Sequence, residues 1–325
     1  MEFRDFTAGQ NDNDRRLDRV LRKFLEDKSL SEIYKLLRKG LIKLNHAKAK
    51  PETHVAEGDV ISIAGFLFDS KESVSQPAAA PHATPLQIVF ENQHLLIINK
   101  PYDQTVHGEK DGLYKDVLEY YKTNCAAQNN SLSFKPGPLH RLDRRTTGLL
   151  VFSKSLEGAR WFSESIKNHT VTKKYYALLT GNLTQQCEWQ DYIKDADEES
   201  EGFHKVRASE DDTGALAVSI VTPLAHGTCG KTLVTLAEFD IKTGRKHQIR
   251  AQSALHKHAL LGDTAYGAAP LSNNKNPGGR EFYLQAYSLS FPKDNPLEMP
   301  ENIKIGLSSD FLCQIEYCEI ENPGL

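Results

Sequence analysis

The first apolar pattern of the chain has the period of a helix. Leu17, Val20, Leu21, Phe24 and Leu25 recur at the spacing of one helical face, and several residues between them are basic. We therefore expect an amphipathic helix that buries its apolar face and presents positive charge to solvent.

A second helix and two short strands are predicted directly after it. Ser29, followed three residues later by Glu32, is typical of the capping box that begins a helix, and Gly40 is typical of a helix end. Apolar runs at 41–45 and 60–63 predict the two strands.

This pattern divides the chain into a small domain and a large one. We expect an unstructured polar segment at residues 1–14 and a small α/β domain at 15–68. Residues 69–85 are rich in Pro, Ala and Ser without apolar periodicity, which predicts a linker. The large domain then occupies residues 86–325.

The large domain combines strands and helices without regular alternation. Apolar runs at 86–90 and 95–99, separated by polar residues, predict a hairpin. Further helices are expected at 114–122 and 156–167, and further strands at 149–152, 170–180, 215–221, 232–241, 282–291 and 313–318. This order predicts an α+β fold around a large mixed, mainly antiparallel sheet.

Composition excludes several classes of protein. The 325 residues are 39% hydrophobic and 26% charged, enough to bury a full core. No apolar run reaches the roughly 18 residues of a membrane span, and the N-terminus lacks an apolar export segment, so we expect a cytoplasmic protein without membrane contact. The five cysteines show no Cys-x-x-Cys spacing, so neither a disulfide framework nor a metal site is indicated.

Charge is distributed unevenly along the chain. Its formal net charge is only −3, yet residues 15–50 carry twelve Lys and Arg against four Asp and Glu. Residues 188–212 carry ten acids against three bases. The basic segment is suited to contact the phosphates of a nucleic acid, while the acidic one faces elsewhere.

A charged turn before a buried strand carries the strongest chemical signal. Asp143 lies among Arg141, Arg144 and Arg145, shortly before the apolar run at 149–152. A carboxylate among arginines stays ionised and is available as a nucleophile, as a base or as half of an ion pair. The residues alone leave open a simpler interpretation, in which Asp143 caps a turn and the arginines form a solvated face.

The stretch His140-Arg141-Leu142-Asp143-Arg144-Arg145-Thr146-Thr147-Gly148-Leu149-Leu150 resembles the signature motif of the RluA family of RNA pseudouridine synthases. The resemblance implies that Asp143 is the catalytic nucleophile. Thr147 stands where the family more often has Ser, which keeps a hydroxyl group at that position.

Three later motifs extend the resemblance. Residues 171–181 resemble the family's Lys-x-Tyr-x-Ala strand and imply that Tyr175 is the active-site tyrosine, with Tyr176 on the opposite face. Residues 243–250 resemble its Thr-Gly-Arg-x-His-Gln-Ile-Arg motif and imply that Arg250 pairs with the catalytic carboxylate. Residues 261–267 resemble its closing Gly-Asp turn, which we interpret as structural.

The N-terminal domain resembles the S4 RNA-binding module in its order of helix, helix, Lys-Gly and strand. Together with basic residues of the catalytic motifs, its basic residues are the predicted RNA contacts. These are Arg16, Arg19, Arg22, Lys35, Arg38, Lys39, Lys43, His140, Arg141 and Arg245.

The resemblance implies a synthase that converts uridines of RNA to pseudouridine, most like the branch of the family that acts on large-subunit ribosomal RNA. It implies no cofactor and no metal, and we expect a monomer. Two alternatives stay open: a non-catalytic RNA-binding or ribosome-assembly factor on the same fold, and a synthase that acts on transfer RNA.

Overall fold

The computed structural model describes residues 2–68, 85–107, 112–124, 131–195, 206–208, 214–272 and 276–321. The linker predicted at 69–85 lies outside these residues except for its last position, as does much of the acidic segment. The chain forms two compact units. The first comprises residues 1–86, 114–137 and 153–159, and the second comprises 87–113, 138–152 and 160–325.

The N-terminal part of the first unit builds a small α/β core. Its elements are β1 (Phe3–Thr7), β2 (Arg15–Arg16), α1 (Leu17–Phe24), α2 (Leu30–Arg38), β3 (Ile42–Leu44), β4 (His54–Val55) and β5 (Val60–Ala64). The apolar face of α1 is buried through Leu17, Val20 and Leu21, as its period predicts. Ser29 and Glu32 form the expected capping box at the start of α2.

The prediction that residues 1–14 are unstructured is wrong. Phe3–Thr7 forms β1, which pairs antiparallel with β5, and β5 pairs in turn with β3. The strand was missed because its stability comes from hydrogen bonds to a partner almost sixty residues away in the sequence, which local polarity does not reveal.

A buried carboxylate ties this core to residues 131–133 of the same unit. Asp12 is fully buried, and its oxygens accept hydrogen bonds from the Ser131 hydroxyl at 2.8 Å and from the Leu132 and Ser133 amides at 2.8 and 3.0 Å. The Ser133 hydroxyl also donates to Asp12. The first unit is therefore completed by chain that follows the predicted linker, and the sequence-based division into domains stays a prediction.

The remaining elements follow in chain order. They are β6 (Ile88–Glu91), β7 (Leu95–Lys100), α3 (Leu113–Asn124), β8 (Gly137–Pro138), β9 (Thr147–Ser153), α4 (Leu156–Lys167), β10 (Thr172–Thr180), β11 (Cys187–Asp195), β12 (Val206–Ala208), β13 (Ala215–Cys229), β14 (Thr232–Ile241), α5 (Gln248–Leu255), β15 (Leu284–Ser290), β16 (Asn302–Lys304) and α6 (Ser309–Tyr317).

Eleven strands of the described residues form one mixed sheet with the order β12-β11-β13-β14-β10-β15-β9-β7-β6, with β16 on β15 and β8 on β9. Nearly all the pairings are antiparallel, but β9 runs parallel to β15. Every residue of β9 is buried, as its continuous apolar run predicts. The α+β class and the large mixed, mainly antiparallel sheet are confirmed.

One glycine permits the parallel pairing. Gly148 has a φ of 109°, and a Cβ there would lie 2.1 Å from the carbonyl oxygen of Ala286 on β15. Only glycine accepts both the backbone conformation and this close approach. The start of β9, and with it the charged turn that precedes it, is therefore fixed against the centre of the sheet.

The strand predicted at 313–318 is wrong, because this segment lies in α6 and in the residue that follows it. Phe311, Gln314, Ile315 and Cys318 are buried at helical spacing, and six residues were too few to separate this period from that of a strand. In the described part of the chain, no helix combines the length and the apolarity that crossing a membrane requires.

We predict that Asp12→Asn lowers the free energy of unfolding of the first unit by about 2–3 kcal/mol, because it turns an amide group toward N–H donors that the carboxylate satisfies. Urea titration combined with hydrogen exchange at the Leu132 and Ser133 amides measures this. Asp14→Asn is the matched control, since Asp14 is 84% exposed and pairs with a surface histidine. Equal stability of the two variants would contradict the anchoring role.

Candidate active site

Asp143 lies in a tight turn immediately before the central strand β9. Its carbonyl oxygen accepts a hydrogen bond from the Thr146 amide at 3.0 Å, while Thr146 and Thr147 are already buried. The Asp143 side chain stays 25% exposed. The carboxylate is thus held at the edge of the core, where a substrate can reach it.

A buried lysine fixes this turn by hydrogen bonds to its backbone. Lys100, at the end of β7, is fully buried, and its Nζ donates to the carbonyl oxygens of Pro101, Gln104 and Arg144 at 2.8–2.9 Å. Burial lowers the pKa of Lys100 to about 7, although three carbonyl oxygens match the three donors of its ammonium form. The residue after Asp143 is therefore fastened to the turn that follows β7.

Arg250 approaches Asp143 from α5 while held by a second carboxylate. Its Nε and Nη2 donate to the two oxygens of Asp263 at 2.7 and 2.8 Å, a bidentate pair in which both side chains are 2% exposed. Its Nη1 lies 3.8 Å from Asp143 Oδ2. Asp263 therefore fixes the guanidinium, which presents its remaining nitrogen to Asp143.

Two aromatic rings enclose the same guanidinium. Arg250 Cζ lies 4.9 Å from the ring centroid of Tyr266 and 4.5 Å from that of Phe282. Burial opposes the charge, but the hydrogen bonds and the charge of Asp263 raise the pKa of Arg250 above its ordinary value. The arginine is a permanent, preorganised cation beside Asp143.

Tyr175 lies on the face of β10 that is directed into the same site. It is 6% exposed, and burial together with the nearby charge of Asp143 raises the pKa of its hydroxyl. Tyr176 is on the other face and stacks on Tyr287 at 3.7 Å between ring centroids. The structure thus brings Asp143, Tyr175 and Arg250 together, as the motifs predict, and keeps Tyr176 away from them.

A cavity of about 270 Å³ opens over Asp143. Its lining includes Arg141, Asp143, His247, Arg250 and Phe282. Val106, Leu142 and Phe282 give the cavity an apolar side, while the rest of its lining is polar or charged. Such a mixture suits a flat ring that carries polar groups. A smaller cavity beside it joins Asp143 to Tyr175.

Sequence reasoning missed three residues of this site. Lys100 and His247 received no role, and Asp263 was interpreted only as part of a structural turn. His247 precedes α5 with a φ of 51°, and its Nε2 lies 3.7 Å from Asp143 Oδ1. For His247 and Asp263 the available signal was their place in the motifs at 243–250 and 261–267. Local sequence does not reveal which side chains meet.

The imidazole of His247 is neutral at physiological pH. Burial lowers its pKa, and that effect outweighs the attraction of Asp143. Its Nδ1 lies 2.9 Å from the Tyr266 hydroxyl. A left-handed backbone at a residue other than glycine costs about 1–3 kcal/mol and persists where the surrounding structure enforces it, which is typical of functional sites.

Arg144 and Arg145, which follow Asp143 in sequence, form ion pairs with other carboxylates. Arg144 pairs with Asp103 at 2.9 Å, and Arg145 pairs with Glu281. The cation nearest to Asp143 is instead supplied by α5. Asp103 has a φ of 60°, a left-handed backbone conformation that favours glycine.

His140 packs inside the second unit, and the RNA contact predicted for it stays a prediction. Its Nε2 accepts a hydrogen bond from the Val151 amide at 3.1 Å, and its ring stacks on Phe162. Burial, with a further contribution from Lys173, lowers the pKa of His140 to about 3. The ring is therefore neutral and engaged inside the second unit.

The other predicted RNA contacts lie at the surfaces of their own units. In the first unit Arg16 and Lys43 are half-buried, and the rest are exposed, namely Arg19, Arg22, Lys35, Arg38 and Lys39. In the second unit Arg141 and Arg245 are exposed, and Arg245 Nε donates to the Leu216 carbonyl oxygen at 3.0 Å. Their RNA contacts stay predictions.

Comparison with known proteins identifies the class. The family model described as RNA pseudouridylate synthase matches residues 94–255, and the S4 domain model matches residues 15–61. The solved structure titled Human RNA Pseudouridylate Synthase Domain Containing 4 shares the fold, with a TM-score of 0.56 and 24% identity over 73% of this chain and 94% of that one.

Two relatives extend the match over most of the chain. Ribosomal large subunit pseudouridine synthase C of Haemophilus influenzae is 30% identical over 295 residues, which cover 88% of this chain and 86% of the relative. Ribosomal large subunit pseudouridine synthase D of Vibrio cholerae is 30% identical over 256 residues, which cover 78% of this chain and 73% of the relative. The chain belongs to the RNA pseudouridylate synthase family and is an RNA pseudouridine synthase with an S4 domain.

We predict that Arg250→Met lowers turnover by about 100-fold or more, because it removes the preorganised cation beside Asp143. Arg250→Lys keeps the charge but loses the bidentate fork, so its loss is smaller. Single-turnover rates at saturating RNA measure both, with circular dichroism to verify folding. Equal rates in the wild type and both variants would show that another cation, with Arg245 the first candidate, serves Asp143.

Proposed function

We propose that this synthase isomerises specific uridines of large-subunit ribosomal RNA, with Asp143 as the nucleophile or base. The observation that carries the proposal is the convergence of Asp143, Tyr175 and Arg250 at one cavity. The names of relatives that match over most of the chain support the class of RNA.

The reaction explains why such a site is needed. Pseudouridine forms when the bond from C1′ to N1 of uridine breaks, the base rotates, and a bond from C1′ to C5 replaces it with loss of the C5 proton. Atoms balance without a redox partner or a group donor. The detached base must stay bound and shielded from water during rotation, so we expect the bound RNA to complete the enclosure of the cavity at Asp143.

Each residue has a proposed role. Asp143 either adds to the base or ribose or removes a ribose proton, and each of these routes requires a free carboxylate. Arg250 holds that carboxylate and balances its charge after water leaves. Tyr175 supplies an aromatic wall for a base that has left its stack.

We propose that the first unit binds the RNA substrate. Exposed Arg and Lys side chains of α1 and α2 would contact backbone phosphates and release counterions on binding. We further propose that the enzyme acts in the cytoplasm, where ribosomal RNA is assembled in bacteria such as those of the relatives, and that it works as a monomer.

Replacing Asp143 with Asn is predicted to abolish pseudouridine formation while RNA affinity stays within about threefold, because the change keeps the shape and removes only the charge used in chemistry. Tritium release from RNA labelled at uridine C5 measures turnover, and filter binding measures affinity. Asp294→Asn, an exposed carboxylate elsewhere in the second unit, is the control. Near-normal tritium release by the Asp143 variant would refute the assignment.

A further inference from the structure

We propose that a second cavity, next to the active site, binds a phosphate group of the RNA backbone. The proposal rests on the proposed function and extends it by assigning a binding subsite. The cavity has a volume of about 580 Å³ and lies between the end of α4, the start of β10 and the turn after β14. Its lining contains Lys167, His169, Lys173, Lys242 and Arg245.

Lys173 is the residue whose surroundings indicate an anion-binding site. It is only 7% exposed, and no hydrogen bond or ion pair of the described residues engages its amino group, on which burial is the only influence. Burial alone lowers its pKa, and a bound anion would restore the charged form. The side chain is largely withdrawn from water while its amine opens into the cavity, so an anion in the cavity can supply the acceptor that the protein does not.

Three other lysines of the second unit, unlike Lys173, have partners within the protein. Lys100 has three carbonyl acceptors, Lys174 pairs with Glu238 at 2.7 Å, and Lys242 pairs with Asp240 at 2.6 Å. The fold therefore satisfies each of these amines internally. Lys173 differs because its amine faces the cavity.

The rest of the lining suits an anion. None of the described residues that line the cavity is acidic, while Lys167, His169 and Arg245 contribute exposed basic groups. Gly244 leaves space around the buried amine, since a Cβ there would lie 3.3 Å from Lys173 Nζ. A phosphate oxygen can reach the amine through this space.

The position of the cavity identifies the phosphate as one close to the target nucleotide. Lys173 and Tyr175 are on the same face of β10, two residues apart, which is about 7 Å along a strand. Arg245 lines both this cavity and the smaller one at Asp143 and Tyr175. A strand whose target base enters the active site would bring a neighbouring phosphate to Lys173.

Ethylation interference tests the proposal even while the target uridine is unidentified. Phosphates of an end-labelled large-subunit ribosomal RNA fragment are neutralised at random with ethylnitrosourea, and bound and unbound molecules are compared. Wild type, Lys173→Met and Lys174→Met are used as full chains. Lys174 is the matched control, because it is adjacent in β10 but faces away and pairs with Glu238.

We expect Lys173→Met to bind the intact RNA about tenfold more weakly, since a charged contact contributes about 1.4 kcal/mol or more. The slope of log affinity against log salt should fall by about one. One phosphate that interferes with wild-type binding should cease to interfere, whereas Lys174→Met should keep the wild-type pattern. The melting temperature of Lys173→Met should be unchanged or higher, because a largely desolvated amine without a protein partner is removed.

An unaltered interference pattern for Lys173→Met would overturn the proposal, as would the same loss in Lys174→Met. If Lys173→Met does not fold, Lys173→Gln replaces it, and the same criteria apply. Failure of the proposed function would be seen separately. A wild-type protein that binds the RNA but releases no tritium from it would refute that function. The interference pattern would still show whether Lys173 contacts a phosphate.

Discussion

The bidentate pair between Arg250 and Asp263 is the interaction on which the active site depends. Both side chains are almost fully buried, and a buried pair of this kind is stable only when its hydrogen bonds are well aligned. Because Asp263 occupies two nitrogens of the guanidinium, the third is aimed at Asp143. Replacing either member would leave a buried charge unpaired, so the pair couples the stability of the second unit to the geometry of catalysis.

The turn that carries Asp143 is held from several sides. Lys100 binds the carbonyl group of Arg144, and Gly148 allows β9 to lie directly against β15. Both contacts act on the backbone of the turn, and the one side chain involved, Lys100, is itself fully buried, so the position of the carboxylate is fixed. Rigid support of this kind is what a reaction needs when a base must detach, rotate and rejoin the same ribose.

The sequence predicted elements whose stability is local and missed those that depend on distant partners. The capping box at Ser29 and the apolar run of β9 were visible in the sequence and are confirmed. Strand β1 was missed because its pairing with β5 is long-range, and α6 was mistaken for a strand because the predicted segment was short. The meeting of Asp143, Tyr175 and Arg250 followed from motif resemblance, whereas the roles of Lys100 and Asp263 required coordinates.

The most direct test of the proposed function is to map pseudouridine in ribosomal and transfer RNA from cells that lack this protein. We expect one or a few uridines of large-subunit ribosomal RNA to lose their modification. The wild-type protein should restore them, and the Asp143→Asn protein, expressed at the same level, should not. Loss confined to transfer RNA, or restoration by the Asp143→Asn protein, would contradict the proposed function.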